Sequence, residues 1–242
     1  MCKPTELRDG LQDGWFVRRL NRFVCLVDVG NGQPIPVHVP SSGRMEELLV
    51  PDAQVIIQPF PENGKYKTKG RLERVLYVGQ SSSWVSVDSH LPNRLFAEAF
   101  RRESLSEFKP YGKLDAEVAF GDSRLDFLWQ KEDRQALIEV KSVTLVENGI
   151  ALFPDAPTMR GTRHVKTLMR GIAEGYLAYL VFVIQREDAI QFSPHGVRDP
   201  AFAEAVGEAM ATGVEVLAYD CTVTPNEVAL RGLVPVVLEA RD

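Results

Sequence analysis

Leu137-Ile138-Glu139-Val140-Lys141-Ser142 is the stretch on which the reading of this 242-residue chain turns. Apolar and charged residues alternate here, which predicts a strand within the segment Ala136 to Leu145. Residues two apart in a strand share a face and stand about 6–7 Å apart. Glu139 and Lys141 therefore project together, while Ile138 and Val140 bury on the opposite side. The segment before it, Arg124 to Gln130, sets one carboxylate, Asp126, inside an apolar run. Antiparallel pairing through the charged turn Lys131 to Arg134 brings Asp126 beside Glu139. A charge placed in a core-like strand needs a partner or a metal. Two carboxylates and a lysine on neighbouring strands suit metal-assisted phosphodiester cleavage, with Mg²⁺ or Mn²⁺ as the cofactor. In that reading Asp126 and Glu139 are metal ligands and Lys141 is the catalytic cation. Glu98, on the preceding segment, completes the shell, and Glu117 is a further candidate. The plain alternative is a solvated cross-strand ion pair.

Working outward, Arg94 to Glu103 reads as a helix with Leu95, Phe96, Ala99 and Phe100 on one side. Three strands follow, at Leu114 to Phe120, Arg124 to Gln130 and Ala136 to Leu145. A helix over Thr158 to Glu174 and a strand over Leu177 to Ile184 come next. Asp199-Pro200 opens another helix that Gly213 ends, and strands at Val214 to Tyr219 and Val228 to Val237 finish the chain. The Asp…Glu-x-Lys pattern resembles the PD-(D/E)xK nuclease superfamily, and so does the order helix, three strands, helix, strand. On the helix after Thr158, Val165, Leu168, Met169 and Ile172 share one side. Arg160, Arg163, Lys166 and Arg170 share the other, a surface for a nucleic-acid backbone or simply a solvated face. His164 falls between the two sides and reads as a surface or structural histidine.

The first part of the chain has a different texture. Short apolar runs at Phe16-Val17, Phe23 to Val29, Ile35 to Val39, Val55 to Phe60 and Arg71 to Val78 predict five strands. One helical turn at Met45 to Leu49 lies between the third and fourth. Such an arrangement suits a small barrel of the OB kind. Ser81-Ser82-Ser83 and the turn Leu91-Pro92-Asn93 mark the change to the second part. Arg18, Arg19 and Arg22 beside Phe16 and Phe23, together with Arg44 and Lys67, are candidate contacts to nucleic acid, as is Arg124 in the second part.

Bulk composition constrains these readings. A formal net charge of −5 argues against nucleic-acid binding as a property of the whole surface, so a local basic patch must supply it. The longest apolar run, Tyr176 to Ile184, is about half a membrane span, so no membrane partner is expected. Glu6, Arg8 and Asp9 are unlike a secretory leader. Cys2, Cys25 and Cys221 are odd in number and in no metal spacing, which fits reduced thiols in a cytoplasm.

Leu20-Asn21-Arg22-Phe23, Ser42-Gly43-Arg44-Met45-Glu46-Glu47-Leu48-Leu49 and Pro92-Asn93-Arg94-Leu95 resemble motifs of the sugar fermentation stimulation protein A family. So do Ser123-Arg124-Leu125-Asp126-Phe127, Glu139 to Leu145, Phe153-Pro154-Asp155-Ala156 and Gly213 to Tyr219. The resemblance implies a mixed α+β chain. An N-terminal OB-like β-barrel is expected over residues 1–88 and a C-terminal PD-(D/E)xK nuclease-like α/β domain over 89–242. It also implies DNA binding and a cytoplasmic protein. Two functions stay open. One is a Mg²⁺- or Mn²⁺-dependent nuclease acting on DNA, RNA or an RNA/DNA hybrid. The other is a non-catalytic DNA-binding regulator of sugar metabolism that retains the nuclease fold.

Overall fold

The computed structural model describes residues 6–7, 10–61, 64–79 and 82–238. Cys2, Arg8, Asp9 and Ser81 lie outside them. Strand β1, Glu6–Leu7, comes first. It is followed by β2 Gln12–Asn21, β3 Val24–Asp28, β4 Ile35–His38, β5 Gln54–Pro59, β6 Gly70–Val78 and β7 Ser82–Ser86. From β2 to β6 these strands close on themselves. The antiparallel order β4-β3-β2-β5-β6 is completed by a parallel pairing of β4 with β6. Alternation turns Phe16, Val27, Val37, Val55, Leu72 and Val75 inward, and Met45 and Leu48 plug the barrel. This is an OB-type barrel. Met45 to Leu49 forms the expected single turn. Ser82 and Ser83, from the stretch that marks the change to the second part, open β7, a sixth strand on the edge of β6. Trp84-Val85-Ser86-Val87 carries the alternation that makes it one.

The second unit is built on a seven-stranded sheet. Its strands are β8 Lys113–Phe120, β9 Ser123–Lys131, β10 Arg134–Val143, β13 Leu177–Ile184, β15 Glu215–Val223 and β16 Glu227–Leu233, with β1 on the far edge. Glu6–Leu7 thus fall within the expected first domain but pair with β16 of the second unit. β8, β9 and β10 form an antiparallel meander, and β10, β13 and β15 are parallel neighbours. Helix α1, Leu91–Arg101, packs on one face over Phe96, Phe127, Trp129 and Ile138. It starts three residues before the expected position, because a proline is tolerated in a first helical turn. Helices α2 Met159–Ala173 and α3 Pro200–Thr212 cover the other face over Leu137, Leu168, Phe182 and Phe202. Thr158 and Asp199 cap them by accepting from the N–H groups of Gly161 and Phe202. Beyond the end of β10 a small sheet of β11 Leu145–Glu147, β12 Ile150–Phe153 and β14 Gln191–Pro194 stands apart from the main one. β16 stops at Leu233, short of the Val237 expected, and Val236 makes only an isolated bridge to Phe192.

The two units are locked together by buried charge. Arg186 is fully buried, lies over the Tyr77 ring of the barrel at 4.4 Å and forks onto both oxygens of Asp188 at 2.6 Å. Asp88 receives Arg71 from β6 and Arg94 from α1. Among the described residues no helix is long and apolar enough to cross a membrane.

Candidate active site

Parallel pairing with β13 holds β10 straight through Ala136–Val143. Ala136, Ile138 and Val140 therefore pack toward α1, and Glu139 and Lys141 point toward α2. Lys141 Nζ lies 2.5 Å from Glu139 Oε1. The same oxygen is bonded to Nδ1 of His164, from α2. Glu139 and His164 are 3% and 2% exposed, so this cluster is dry. His164 is thus neither on the surface nor between faces, as the sequence suggested. It belongs to the buried stripe with Gly161, Leu168 and Gly171. A side chain at Gly171 would stand 2.5 Å from Leu137 Cδ1, so this glycine is what lets α2 approach the sheet closely enough for His164 to reach Glu139. Glu139 Oε2, the second oxygen, is buried and has no hydrogen-bond partner among the described residues.

Asp126 lies where the β9–β10 ladder stops. Regular pairing runs from Arg134↔Lys131 to Ile138↔Phe127. The next acceptor is the Asp126 side chain, whose Oδ2 takes the Val140 N–H at 2.8 Å. Its Oδ1 accepts from Asn93 Nδ2 of α1 at 2.7 Å. Each carboxylate is therefore held by a helix on its own side of the sheet, Asp126 by α1 and Glu139 by α2.

Their electrostatics diverge. Burial, and then the charge of Glu139, push the Asp126 carboxyl up from its ordinary value, against the pull of Val140 N–H, Asn93 and Lys141. Burial also pushes Glu139 up, but the His164 hydrogen bond and the nearby Lys141 outweigh it and hold that carboxyl below its ordinary value. The two groups feel one another, and only one of them is eased into its ionised state.

Glu98 and Glu117 share with Asp126 a hollow of about 420 Å³ on the α1 side, which Asn93 also lines. Glu98 is held by Arg102 one turn on, and Glu117 lies 3.3 Å from Arg124 in an exposed pair. Glu139 and Lys141 do not line that hollow. Among the described residues no three His, Cys, Asp or Glu side chains converge as a cage for a metal ion.

The expected nucleic-acid contacts divide into two groups. Arg160, Arg163 and Lys166 stand exposed along α2 and form no ion pair among the described residues. Arg18, Arg22, Arg44 and Lys67 are exposed on the barrel. Arg19 departs from the expectation. Its guanidinium donates to the carbonyls of Gly43 at 2.9 Å, Arg44 at 2.6 Å, Arg22 at 2.6 Å and Asn21 at 3.2 Å, so it ties loops together instead of facing a phosphate. Arg170 is anchored as well, over the Phe120 ring and on the Phe120 carbonyl. Sequence reasoning missed His164 and Asn93, the two groups that hold the carboxylates.

Comparison with known proteins follows the same division. Residues 17–87 match the sugar fermentation stimulation protein N-terminal OB domain, and residues 90–227 match the sugar fermentation stimulation protein RE domain. The chain belongs to the sugar fermentation stimulation protein family. A family homolog from Desulforamulus reducens is 45% identical over 223 residues, covering 92% of this chain and 91% of its own. One from Moorella thermoacetica is 44% identical over 236 residues, covering 97% and 99%. The structure of Pyrococcus furiosus SfsA in complex with Ca²⁺ is 28% identical and superposes with a TM-score of 0.86 over 98% of this chain and all of that one. The second unit of this family member is an α/β domain that matches the family's RE domain, joined to an OB barrel.

Proposed function

We propose that this protein is a divalent-metal-dependent phosphodiesterase acting on nucleic acid, with Asp126 and Glu139 holding Mg²⁺ or Mn²⁺. The observation that carries the reading is the state of Glu139. Two donors occupy one of its oxygens, while the other is buried, without a hydrogen-bond partner among the described residues, beside a second carboxylate whose ionisation it opposes. An unpaired buried carboxylate oxygen is costly, and a cation relieves both the orphan oxygen and the repulsion. The donors are hard oxygens, and two carboxylates with waters filling the rest suit a cation that dehydrates reluctantly. The Ca²⁺ complex of the Pyrococcus furiosus relative supports a divalent site in this family.

When bound, such an ion supplies a low-pKa water and polarises a phosphate oxygen. The remaining work falls to the chain's own residues. Asn93 and the Val140 N–H fix the Asp126 carboxylate, and His164 fixes Glu139. Lys141 carries a positive charge at the edge of the cluster, where it offsets negative charge gathering on the phosphate. Arg160, Arg163 and Lys166 hold the nucleic-acid backbone by charge, locally and in spite of the acidic total.

The test is cleavage of single-stranded, duplex and RNA/DNA hybrid substrates with Mg²⁺ or Mn²⁺. Wild type cuts at least one of them. Lys141→Ala lowers the rate by about 100-fold or more and still binds. A second reading, a regulator that binds DNA without cutting it, draws on the lack of a three-ligand cage among the described residues. Wild-type protein that binds and never cuts establishes that reading instead.

A further inference from the structure

Past Lys141, β10 runs into a cleft between the two units, a cavity of about 330 Å³. Arg22, Ser41 and Ser42 line it from the barrel, and Ser142, Thr144 and Thr158 from the second unit. Several of its hydroxyls are already acceptors. Ser41 Oγ takes the Gly43 N–H, Ser142 Oγ takes Gln185 Nε2 and Thr158 Oγ1 takes the Gly161 N–H. A hydroxyl that accepts keeps its own proton to give. The cleft therefore presents O–H donors and one guanidinium to a ligand rich in oxygen acceptors, its lining also including Phe153, Pro154 and the Asp155 carboxylate, one oxygen of which is taken by the Arg44 N–H. That combination fits one phosphodiester with its sugar and an unstacked base. It does not fit a run of phosphates, which needs a row of cations.

Its width restricts the ligand further. The walls meet where Arg44 N–H donates to Asp155 Oδ2 at 2.7 Å, and a side chain at Gly43 would be 2.7 Å from that same oxygen. A B-form duplex, whose major groove alone is about 12 Å across, cannot enter. A single strand can. Val143, which also lines the cleft, follows Lys141 by two residues on the same face of β10, about 6–7 Å along the strand. On α2, Thr158 lies six residues before His164, about 9 Å. A strand with its phosphate at the Asp126–Glu139 pair would place its neighbouring nucleotide here.

We infer that this cleft holds one nucleotide of a single strand next to the scissile phosphate, and so directs the protein to single-stranded ends and tails over duplex interiors. The inference rests on the nuclease reading. The test uses the full chain in Ca²⁺, with one oligodeoxynucleotide offered as a single strand, as a blunt duplex and as a duplex with a single-stranded tail. The single strand and the tailed duplex bind about tenfold or more tighter than the blunt form. Ser42→Trp fills the cleft from an exposed position and abolishes that preference, while Ca²⁺ affinity by calorimetry stays at the wild-type value. Arg22→Ala, a gentler change at a solvent-facing residue, weakens the single strand and leaves the blunt duplex unchanged. Equal binding of blunt and tailed duplexes overturns the inference, as does a preference that survives Ser42→Trp. If wild type cuts duplex interiors as fast as tails, the cleft assignment alone is lost. If it binds neither Ca²⁺ nor any oligonucleotide, the nuclease reading is lost with it.

Discussion

Two neighbouring strands carry one carboxylate each, and they do so in opposite ways. β10 is regular around Glu139, paired residue by residue with β13 over Ala136–Val143. β9 is not regular around Asp126. Phe127 and Trp129 pack toward α1 while Leu125 packs toward α2, although residues two apart in a strand normally share a face. The partner strand is distorted at the same level. β8 pairs Ala116↔Phe127 and Val118↔Leu125 but skips Glu117, which has a φ of 54°. In a straight, dry strand a carboxylate must be neutralised by built-in donors, and Glu139 has His164 and Lys141. At a turn-over point the main chain is released to serve the side chain, and Asp126 takes the Val140 N–H. Built-in donors ease the first group toward its ionised form, and burial with the neighbouring charge makes ionisation of the second harder.

The contrast is broken most directly by removing each charge in turn. Glu139→Ala leaves the half-buried Lys141 and the buried His164 without their partner and costs about 3 kcal/mol in urea unfolding with EDTA present. Asp126→Asn removes a charge that burial and Glu139 disfavour but leaves one oxygen for two donors, the Val140 N–H and Asn93 Nδ2, so at neutral pH it costs the metal-free protein less than Glu139→Ala does. The pH dependences run oppositely. Asp126 has a folded-state pKa above its ordinary 3.8, so its contribution to stability is full below that value and lost as pH rises through the folded one. Glu139 has a folded-state pKa below its ordinary 4.5, so its contribution is present above that value and lost as pH falls through the folded one. The cost of Asp126→Asn therefore grows as the pH falls, whereas the cost of Glu139→Ala shrinks. Costs of Asp126→Asn and Glu139→Ala that are equal at neutral pH and shrink together in acid would show that the two carboxylates are not distinguished in this way.

The helices that hold the two groups sharpen the comparison. His164→Ala frees Glu139 and lowers Ca²⁺ or Mn²⁺ affinity by about 10- to 100-fold, and His164→Asn recovers part of it. Asn93→Ala removes one of two donors from Asp126 and sits at the lower end, about tenfold. Leu168→Ala, a buried neighbour on α2, costs stability and leaves metal affinity unchanged in calorimetry. Equal loss of affinity in all three variants would mean that packing of the helices, and not orientation of the carboxylates, sets the metal site.

Much of this was legible beforehand where the pattern is long and two-fold. Glu139-x-Lys141 on β10, Asp126 on β9 and the five barrel strands follow from alternation alone. His164 was not, because glycine carries no hydrophobic signal. With Gly161 and Gly171 counted as silent, the buried stripe of α2 appears centred on Val165 and Ile172, and His164 falls at its margin. The small sheet of β11, β12 and β14 escaped because its strands have only three or four residues. Asn148-Gly149, both with positive φ, is nonetheless a two-residue hairpin signal between β11 and β12. Arg19 shows the limit for cations, since composition cannot tell a guanidinium aimed at solvent from one consumed by loop carbonyls.

That last distinction yields the smallest expected effect. Arg160, Arg163 and Lys166 are exposed and unpaired among the described residues, whereas Arg19 is tied to five carbonyls. Replacing the three α2 cations with alanine removes up to three phosphate contacts. The salt exponent for single-strand binding then falls by about 2, since each neutralised phosphate contributes about 0.7. Arg19→Ala leaves that exponent unchanged and lowers the melting temperature, because the loops at Asn21–Arg22 and Gly43–Arg44 lose their common donor. A salt exponent that drops with Arg19→Ala and not with the α2 triple would move the backbone-holding surface from the second unit to the barrel.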